Sequence, residues 1–280
     1  MINLGFLSPS RIFTVLEQID RAAPSYSLPR EQGVRRVTIV MATVGICLLL
    51  IHYMKYSSTL LATLQMASSW LGEKPDYVRA KLQATGFINL ISYSWWTFWH
   101  IVGYLIIPAI IIRYALKEKL VDFGWRWNET HHHWRGYALL ITPILFFIFL
   151  VSFRDDFLNH YPFYKLAGRS WFDFLAWEAL YLIQFITLEF FFRGFFVQAL
   201  RPTMGANAIW VMCIPYLMIH FPKLWPEAFG ALLFGLFLGI LALRSRSIWG
   251  GFLVHAGIAI SMDVASLIRQ NVLPSIWWPF

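Results

Sequence analysis

Four ionisable side chains lie inside long apolar stretches of the sequence, where a charge is unfavourable. Glu189 and Arg193 share one segment and are separated by three phenylalanines. His220 closes a second apolar stretch, and His255 lies within a third. A charged group at mid-membrane costs at least about 2.5–3.5 kcal/mol. These residues are therefore the first candidates for function.

The four side chains are of types that could hydrolyse a peptide bond. Glu189 and Arg193 are four residues apart, which predicts an ion pair on one helix face. A carboxylate shielded from water, together with a histidine, can activate a water molecule for attack on a carbonyl. A second histidine can stabilise the resulting oxyanion. Two histidines and one carboxylate are also a zinc set, and the ion pair could be purely structural, so the residues alone leave these alternatives open.

Four further residues are predicted to support this site, three of them on the predicted helices of Glu189, His220 and His255, and Glu227 at the head of the helix that follows the prolines after His220. They are Glu178, Tyr216, Glu227 and Asp263. The structural alternative is that Glu227 only stabilises the start of its helix and that Asp263 lies at the membrane interface. The sequence contains neither the GxSxG motif of serine hydrolases nor the HExxH motif of zinc proteases.

The elements that must position these residues are membrane helices. Hydrophobic residues make up 58% of the 280 residues and charged residues 14%, whereas a soluble domain has about 25% charged residues. The 25 phenylalanines and 14 tryptophans exclude a disordered chain, and two cysteines are too few for a disulfide scaffold. The net charge of +8 is spread between apolar segments, as in membrane flanks that face anionic lipid. No nucleic-acid partner is predicted.

With about 20 apolar residues per crossing, the sequence predicts an all-α, polytopic membrane helix bundle with about seven transmembrane helices. The predicted spans are 37–54, 88–112, 136–153, 174–192, 207–221, 228–243 and 247–268. The segment 58–70 is predicted to be interfacial, and it would be an eighth span if it also crossed. The fifth and sixth spans are short, which predicts tilted or partial helices, or boundaries that are placed wrongly.

The predicted spans divide the chain into three parts. Residues 1–36 form an N-terminal cytoplasmic or interfacial segment without a secretory signal, residues 37–153 form the N-terminal membrane helices, and residues 154–280 form the core with the candidate site. Basic residues favour the side of the N-terminus, which predicts a multi-pass protein of the cell (inner) membrane with a cytoplasmic N-terminus. The run His131–His133 is interpreted as a polar interfacial loop, because consecutive residues do not converge on a metal.

The order of the motifs resembles the CPBP membrane endopeptidases, which comprise the CAAX prenyl endopeptidases and bacterial relatives, some of them tied to bacteriocin immunity. Glu189-x-x-x-Arg193-Gly lies on one span, Tyr216-x-x-x-His220 on the next, and His255 on the last. The resemblance covers roughly residues 174 to 267, about a third of the chain.

The resemblance implies an intramembrane endopeptidase that acts on a membrane-associated protein or peptide, such as a prenylated or C-terminally tagged protein. Glu189 and His220 would activate water, and Arg193 would orient or charge-balance Glu189. His255 would hold or polarise the substrate carbonyl. No cofactor is predicted, zinc being the alternative that is not favoured. The expected partners are the substrate and the lipid bilayer.

Two positions depart from the family pattern. Leu188 stands where the family usually has a first glutamate, generally taken as the catalytic base, and Ala259 stands where it usually has Asn or Asp. Glu227 and Asp263 are the candidates to replace them. Two other functions stay open, namely a catalytically silent binding or immunity protein and a proton-coupled transporter. The paired interrupted segments that are typical of transporters are not visible.

Overall fold

The computed structural model describes residues 9–22, 28–223 and 225–280, and the side chain of Glu227 lies outside that description. Most of the described residues are helical, with turns and irregular segments between the helices and after the last one, and there is no strand among them. The α-helices are α1 (Pro9–Ala22), α2 (Arg30–Met54), α3 (Ser57–Trp70), α4 (Tyr77–Ala84), α5 (Ile88–Ile101), α6 (Ile107–Ile110), α7 (Trp134–Val151), α8 (Asp155–His160), α9 (Trp171–Glu189), α10 (Val197–Met204), α11 (Ala208–Met218), α12 (Trp225–Ser245) and α13 (Trp249–Gln270). The predicted all-α class is confirmed.

Six helical stretches among the described residues are long and apolar enough to cross a membrane. They are Arg30–Met54, Ile88–Leu116, Glu129–Val151, Trp171–Met218, Ala228–Ser245 and Trp249–Gln270. The chain is therefore a multi-pass membrane protein. The predicted span 174–192 and most of the predicted span 207–221 lie in the stretch Trp171–Met218, which is 48 residues long.

The stretch Trp171–Met218 doubles back on itself near Gly205. This glycine has a φ of +57°, and a Cβ there would lie 2.7 Å from a carboxylate oxygen of Asp20. The same carboxylate accepts a hydrogen bond from the backbone N–H of Ala206 at 2.6 Å. On either side of the reversal, the rings of Phe192 and Tyr216 lie 5.1 Å apart. The stretch thus contributes two antiparallel legs, which brings the number of membrane segments close to the seven predicted.

The second leg ends early. Helix α11 has 11 residues and is therefore about 16 Å long, only about half of the 30 Å hydrocarbon thickness. The predicted shortness of this span is confirmed. The next membrane-length stretch, Ala228–Ser245, begins at the predicted residue and ends two residues later than predicted. It lies within α12, which has 21 residues.

The chain packs as two compact units that take up alternating parts of the sequence. The first unit holds the described residues up to Gly45 together with Pro108–Leu140 and Glu189–Leu253. The second holds Ile46–Ile107, Ile141–Leu188 and Val254–Phe280. The three-part division of the chain at residues 36 and 153 stays a prediction.

In the first unit, the start of α2 is fixed to other elements by one arginine. The Arg36 guanidinium donates to both carboxylate oxygens of Glu118 at 2.8 and 2.9 Å and to the carbonyl oxygen of Ala199 at 2.6 Å. Helices α11 and α12 pack closely, since a Cβ on Gly239 would lie 2.7 Å from Ile209. The absent side chain lets the two backbones approach each other.

In the second unit, an aromatic core surrounds the first half of α9. Trp177 is fully buried and packs with Tyr164 and Tyr181. The start of α9 is fixed by Ser170, whose hydroxyl accepts a hydrogen bond from the backbone N–H of Asp173 at 3.1 Å, an N-capping contact. This end of α9 is therefore anchored, which sets the register of every side chain further along the helix.

Candidate functional site

Glu189 and Arg193 form the ion pair that their spacing predicts. A guanidinium nitrogen of Arg193 lies 3.0 Å from a carboxylate oxygen of Glu189, and both side chains are buried. Arg193 lies in a π-helical segment, Phe190–Phe196, that continues from the end of α9. Such wide turns are rare and are frequently found at functional sites. The three intervening phenylalanines are fully buried and enclose the pair.

Tyr216 completes the surroundings of Arg193. The Arg193 guanidinium carbon lies 4.1 Å from the centroid of the Tyr216 ring, within the range of a cation–π contact. Tyr216 is 1% exposed, so this contact is shielded from solvent. The structure therefore brings together three predicted residues, Glu189, Arg193 and Tyr216, within the first unit.

His220 lies in the turn after α11, one helical turn beyond Tyr216. Its Nδ1 is 2.8 Å from the Tyr216 carbonyl oxygen. Since a carbonyl only accepts, this contact assigns the Nδ1 atom as the donor and leaves the lone pair on Nε2. The rings of the two residues lie 4.9 Å apart. A neutral imidazole in this tautomer can accept a proton through Nε2.

The hairpin geometry places Glu189 and His220 at a common level. The two legs are antiparallel neighbours, and Arg193 on the first contacts Tyr216 on the second. Glu189 precedes Arg193 by four residues, and His220 follows Tyr216 by four. Each is thus about one turn beyond the same contact, in the same direction.

Gly251 lies against Glu189, and its role was not predicted from the sequence. A Cβ at residue 251 would lie 2.1 Å from Oε2 of Glu189 and 2.7 Å from its carboxyl carbon. Only glycine leaves room for the carboxylate here. The signal in the sequence is the pair Gly250-Gly251 near the start of α13, which indicated close approach but not the group that approaches.

Tyr137 on α7 is a second residue that sequence reasoning missed. Its ring lies against Gly250. A Cβ at residue 250 would be 2.0 Å from the ring carbon that bears the Tyr137 hydroxyl group. Its hydroxyl lies 3.3 Å from the Ser245 hydroxyl, and the side chain is within electrostatic reach of Glu189. Nothing in the local sequence marks this tyrosine, because its position depends on contacts between distant segments.

We call Glu189, Arg193, Tyr216, His220 and Gly251 the Glu189 cluster.

His255 belongs to the second unit. Its ring stacks on Phe185 with a centroid distance of 5.3 Å and an interplanar angle of 13°. It lies on α13, one turn after Gly251. The predicted convergence of His255 with Glu189 and His220 stays a prediction.

Two of the predicted supporting acids, Glu178 and Asp263, lie together in the second unit. Oδ2 of Asp263 accepts a hydrogen bond from the indole N–H of Trp177 at 2.6 Å. The Glu178 carboxyl group adjoins that of Asp263. Asp263 is fully buried in the protein, beside an indole donor. Whether it lies at the depth of the membrane interface stays an open alternative.

The two departures from the family pattern are both buried residues of the second unit. Leu188 is 6% exposed, and Ala259 is fully buried in the aromatic core that contains Trp177. Neither side chain has a polar atom that could take part in proton transfer. The fourth supporting residue, Glu227, belongs to the first turn of α12, but its side chain lies outside the described part of the chain.

The three adjacent histidines end a short 3-10 helix, Asn128–His133, that precedes α7. Nε2 of His132 lies 3.6 Å from a Glu129 carboxylate oxygen, and both side chains are exposed. Over the residues that the structure describes, no three His, Cys, Asp or Glu side chains are grouped as metal ligands.

Fold and site together define a multi-pass helical membrane protein with a buried glutamate–arginine pair on a reversing span. Residues 169–261 match the family described as type II CAAX prenyl endopeptidase, Rce1-like. The matched segment includes all of the Glu189 cluster and His255, and it confirms the resemblance to the CPBP endopeptidases. At the level of the family it supports a membrane protease. Comparison of the chain with curated proteins and with solved structures gave no match.

Proposed function

We propose that the protein is an intramembrane endopeptidase that hydrolyses a peptide bond of a membrane-associated protein, such as a prenylated or C-terminally tagged one. The observation that carries the proposal is the contact of Arg193 with Tyr216 across the hairpin, from which Glu189 and His220 each lie about one turn away in the same direction, within a segment that matches the family. A buried carboxylate and an imidazole with its lone pair on Nε2 are the two groups that water activation requires.

In this mechanism the Glu189 carboxylate accepts a hydrogen bond from the attacking water and Nε2 of His220 takes its proton. The hydroxide adds to the substrate carbonyl carbon, and the proton then passes to the nitrogen of the departing amine. Arg193 keeps the carboxylate ionised and oriented through the 3.0 Å ion pair. By the family resemblance, His255 holds or polarises the carbonyl oxygen, whose developing charge needs a hydrogen-bond donor.

Activity is proposed to need no metal, since the two proton-transfer groups suffice for the steps above. A strong chelator should leave turnover unchanged. Loss of activity on chelation and its return with zinc would replace the water-activating pair with a metal-bound water.

The protein is proposed to lie in the cell (inner) membrane with its N-terminus and the 113–135 loop in the cytoplasm. Arginines concentrate in these parts of the chain, as the positive-inside rule requires. Reporter fusions after residues 54, 153 and 280 should all report the outer side. A cytoplasmic C-terminus would contradict this topology.

A second function is favoured by the apolar packing of Leu188 and Ala259. A chain that lost the family's first glutamate and last amide or acid could retain the fold and bind a peptide without cleaving it. Glu189 and Arg193 would then serve only to stabilise the bundle.

The two functions are separated by incubating the purified full chain in detergent with a library of prenylated and unmodified peptides and analysing the products by mass spectrometry. Endopeptidase activity gives two new fragments from one peptide bond. A matched Glu73→Gln variant, at an exposed acid of the loop after α3, should cleave like the wild type. Peptide retention without fragments would support the silent function instead.

A further inference from the structure

A cavity of about 490 Å³ opens between α1, α7 and α12 of the first unit. It is separate from the Glu189 cluster, with which it shares no lining residue. Three arginines line it, one from each helix, namely Arg11, Arg135 and Arg244. His132 and His133, which the candidate site does not use, also line it.

The cavity is cationic at one end and apolar at the other. Arg135 lies in the first turn of α7 and Arg244 in the last turn of α12, so both are at the ends of membrane-length stretches. The two helices run antiparallel there, because Gly136 lies against Leu241, where a Cβ would be 2.9 Å away, and the later Leu140 of α7 lines the same cavity as the earlier Phe237 of α12. The apolar lining, which includes Leu140 and Phe237, lies about 7–10 Å further along the helices, towards their middle.

The three arginines have no acidic partner within the described part of the chain. Among the described residues, Arg11, Arg135 and Arg244 form no ion pair with an Asp or Glu side chain, and all three are exposed. Arg135 lies over the Trp134 ring at 5.7 Å, a contact that leaves its charge in place. The mouth of the cavity is therefore a concentration of positive charge at a membrane surface.

We propose that this cavity binds an anionic phospholipid, with its phosphate at the three arginines and the upper part of one acyl chain along the apolar wall. A soluble anion would leave the apolar wall uncovered, and a zwitterionic lipid would leave the arginines without a net counter-charge. Basic pockets between transmembrane helices on the cytoplasmic side suit anionic headgroups. The three arginines all lie on the side that is predicted to be cytoplasmic. The site is independent of the proposed peptidase activity.

Native mass spectrometry of the full chain in a neutral detergent tests the proposal by titration with phosphatidylglycerol and, separately, phosphatidylcholine. The first phosphatidylglycerol should bind at least about 25-fold more tightly than phosphatidylcholine, because its net charge meets two or more arginines at about fivefold each. Arg135→Gln and Arg244→Gln should each weaken this binding about fivefold. Arg35→Gln is the matched control, since Arg35 is exposed, lies near the start of α2 and does not line the cavity. It should leave the dissociation constant unchanged.

The apolar wall is tested with Leu140→Trp, which fills the cavity and keeps all three charges. This variant should weaken phosphatidylglycerol binding. In a separate test, millimolar inorganic phosphate should not displace the lipid from the unaltered protein. Equal affinity for the two lipids, or unchanged binding in both arginine variants, would overturn the proposal. Displacement by inorganic phosphate together with normal binding in Leu140→Trp would also overturn it and identify a simple anion site. Thermal unfolding of each variant establishes that it is folded, and Leu139→Trp replaces any Leu140 variant that is not.

Discussion

The Glu189 carboxylate occupies the space that a side chain at Gly251 would need. A methyl group there would lie 2.1 Å from Oε2, which is far inside van der Waals contact. The carboxylate cannot easily move away, because it is paired with Arg193. Gly251→Ala should therefore displace Glu189, destabilise the protein by about 1–3 kcal/mol and lower turnover. Thermal unfolding and peptide cleavage in detergent measure the two effects.

Gly230→Ala is the matched control for this change. Gly230 is also helical and in the first unit, and nothing lies within 4 Å of a Cβ at that place. Alanine is the better helix former by about 1 kcal/mol, so this variant should be at least as stable as the wild type and equally active. Equal behaviour of the two alanine variants would show that the contact with Glu189 is unimportant.

Arg193→Ala should be among the most destabilising single changes in the protein. It would leave the Glu189 carboxylate buried without its counter-charge, which costs about 3–5 kcal/mol. The comparison is Arg154→Ala, which breaks an exposed pair with Asp156 at 2.8 Å that contributes about 0–1 kcal/mol. Denaturant or thermal unfolding of the two variants measures the difference, and similar losses would contradict burial of the Glu189–Arg193 pair.

His220 and His255 should both be required for hydrolysis, in different ways. Replacing His220 by Ala removes the proton acceptor and should lower kcat at least about 10²-fold. Replacing His255 by Ala should lower kcat/KM by a similar factor. It should also raise KM, because the side chain is proposed to hold the substrate. His160→Ala, at an exposed histidine outside the membrane-length stretches, is the control and should remain active. Full activity of either of the first two variants would exclude that histidine from the mechanism.

Asp263 should tolerate an amide but not an apolar residue. The hydrogen bond from the Trp177 indole can be accepted equally well by the carbonyl oxygen of Asn, whose amide can also donate to the neighbouring Glu178. Asp263→Ala would leave the indole N–H unsatisfied at a cost of about 1–3 kcal/mol. Thermal unfolding should therefore place Asp263→Asn close to the wild type and Asp263→Ala well below it. The reverse order would exclude the structural role of this contact.

Features that depend on local spacing could be predicted from the sequence. The Glu189–Arg193 pair follows from a separation of four residues, and the contact of Tyr216 with His220 follows from the same spacing. The apolar stretches predicted the membrane helices because length and hydropathy alone decide whether a segment can cross a bilayer.

Features that depend on contacts between distant segments could not be predicted. The reversal at Gly205 needs the carboxylate of Asp20, and no local pattern connects the two. Gly251 could be recognised as a place of close approach, but its neighbour Glu189 emerges only from the packing. For Asp263 the sequence indicated no partner, because the Trp177 indole that donates to it lies 86 residues away along the chain.

The most direct test of the central claim is the rate of peptide hydrolysis by the Glu189→Gln variant beside the wild type, in the same detergent or bilayer. Glutamine keeps the shape of the side chain and loses its charge. The proposed mechanism predicts that the wild type cleaves a peptide of the library and that Glu189→Gln, still folded in the membrane, does not. Near-normal cleavage by Glu189→Gln would remove Glu189 as a water-activating group, and the absence of cleavage by the wild type would contradict the proposed endopeptidase activity itself.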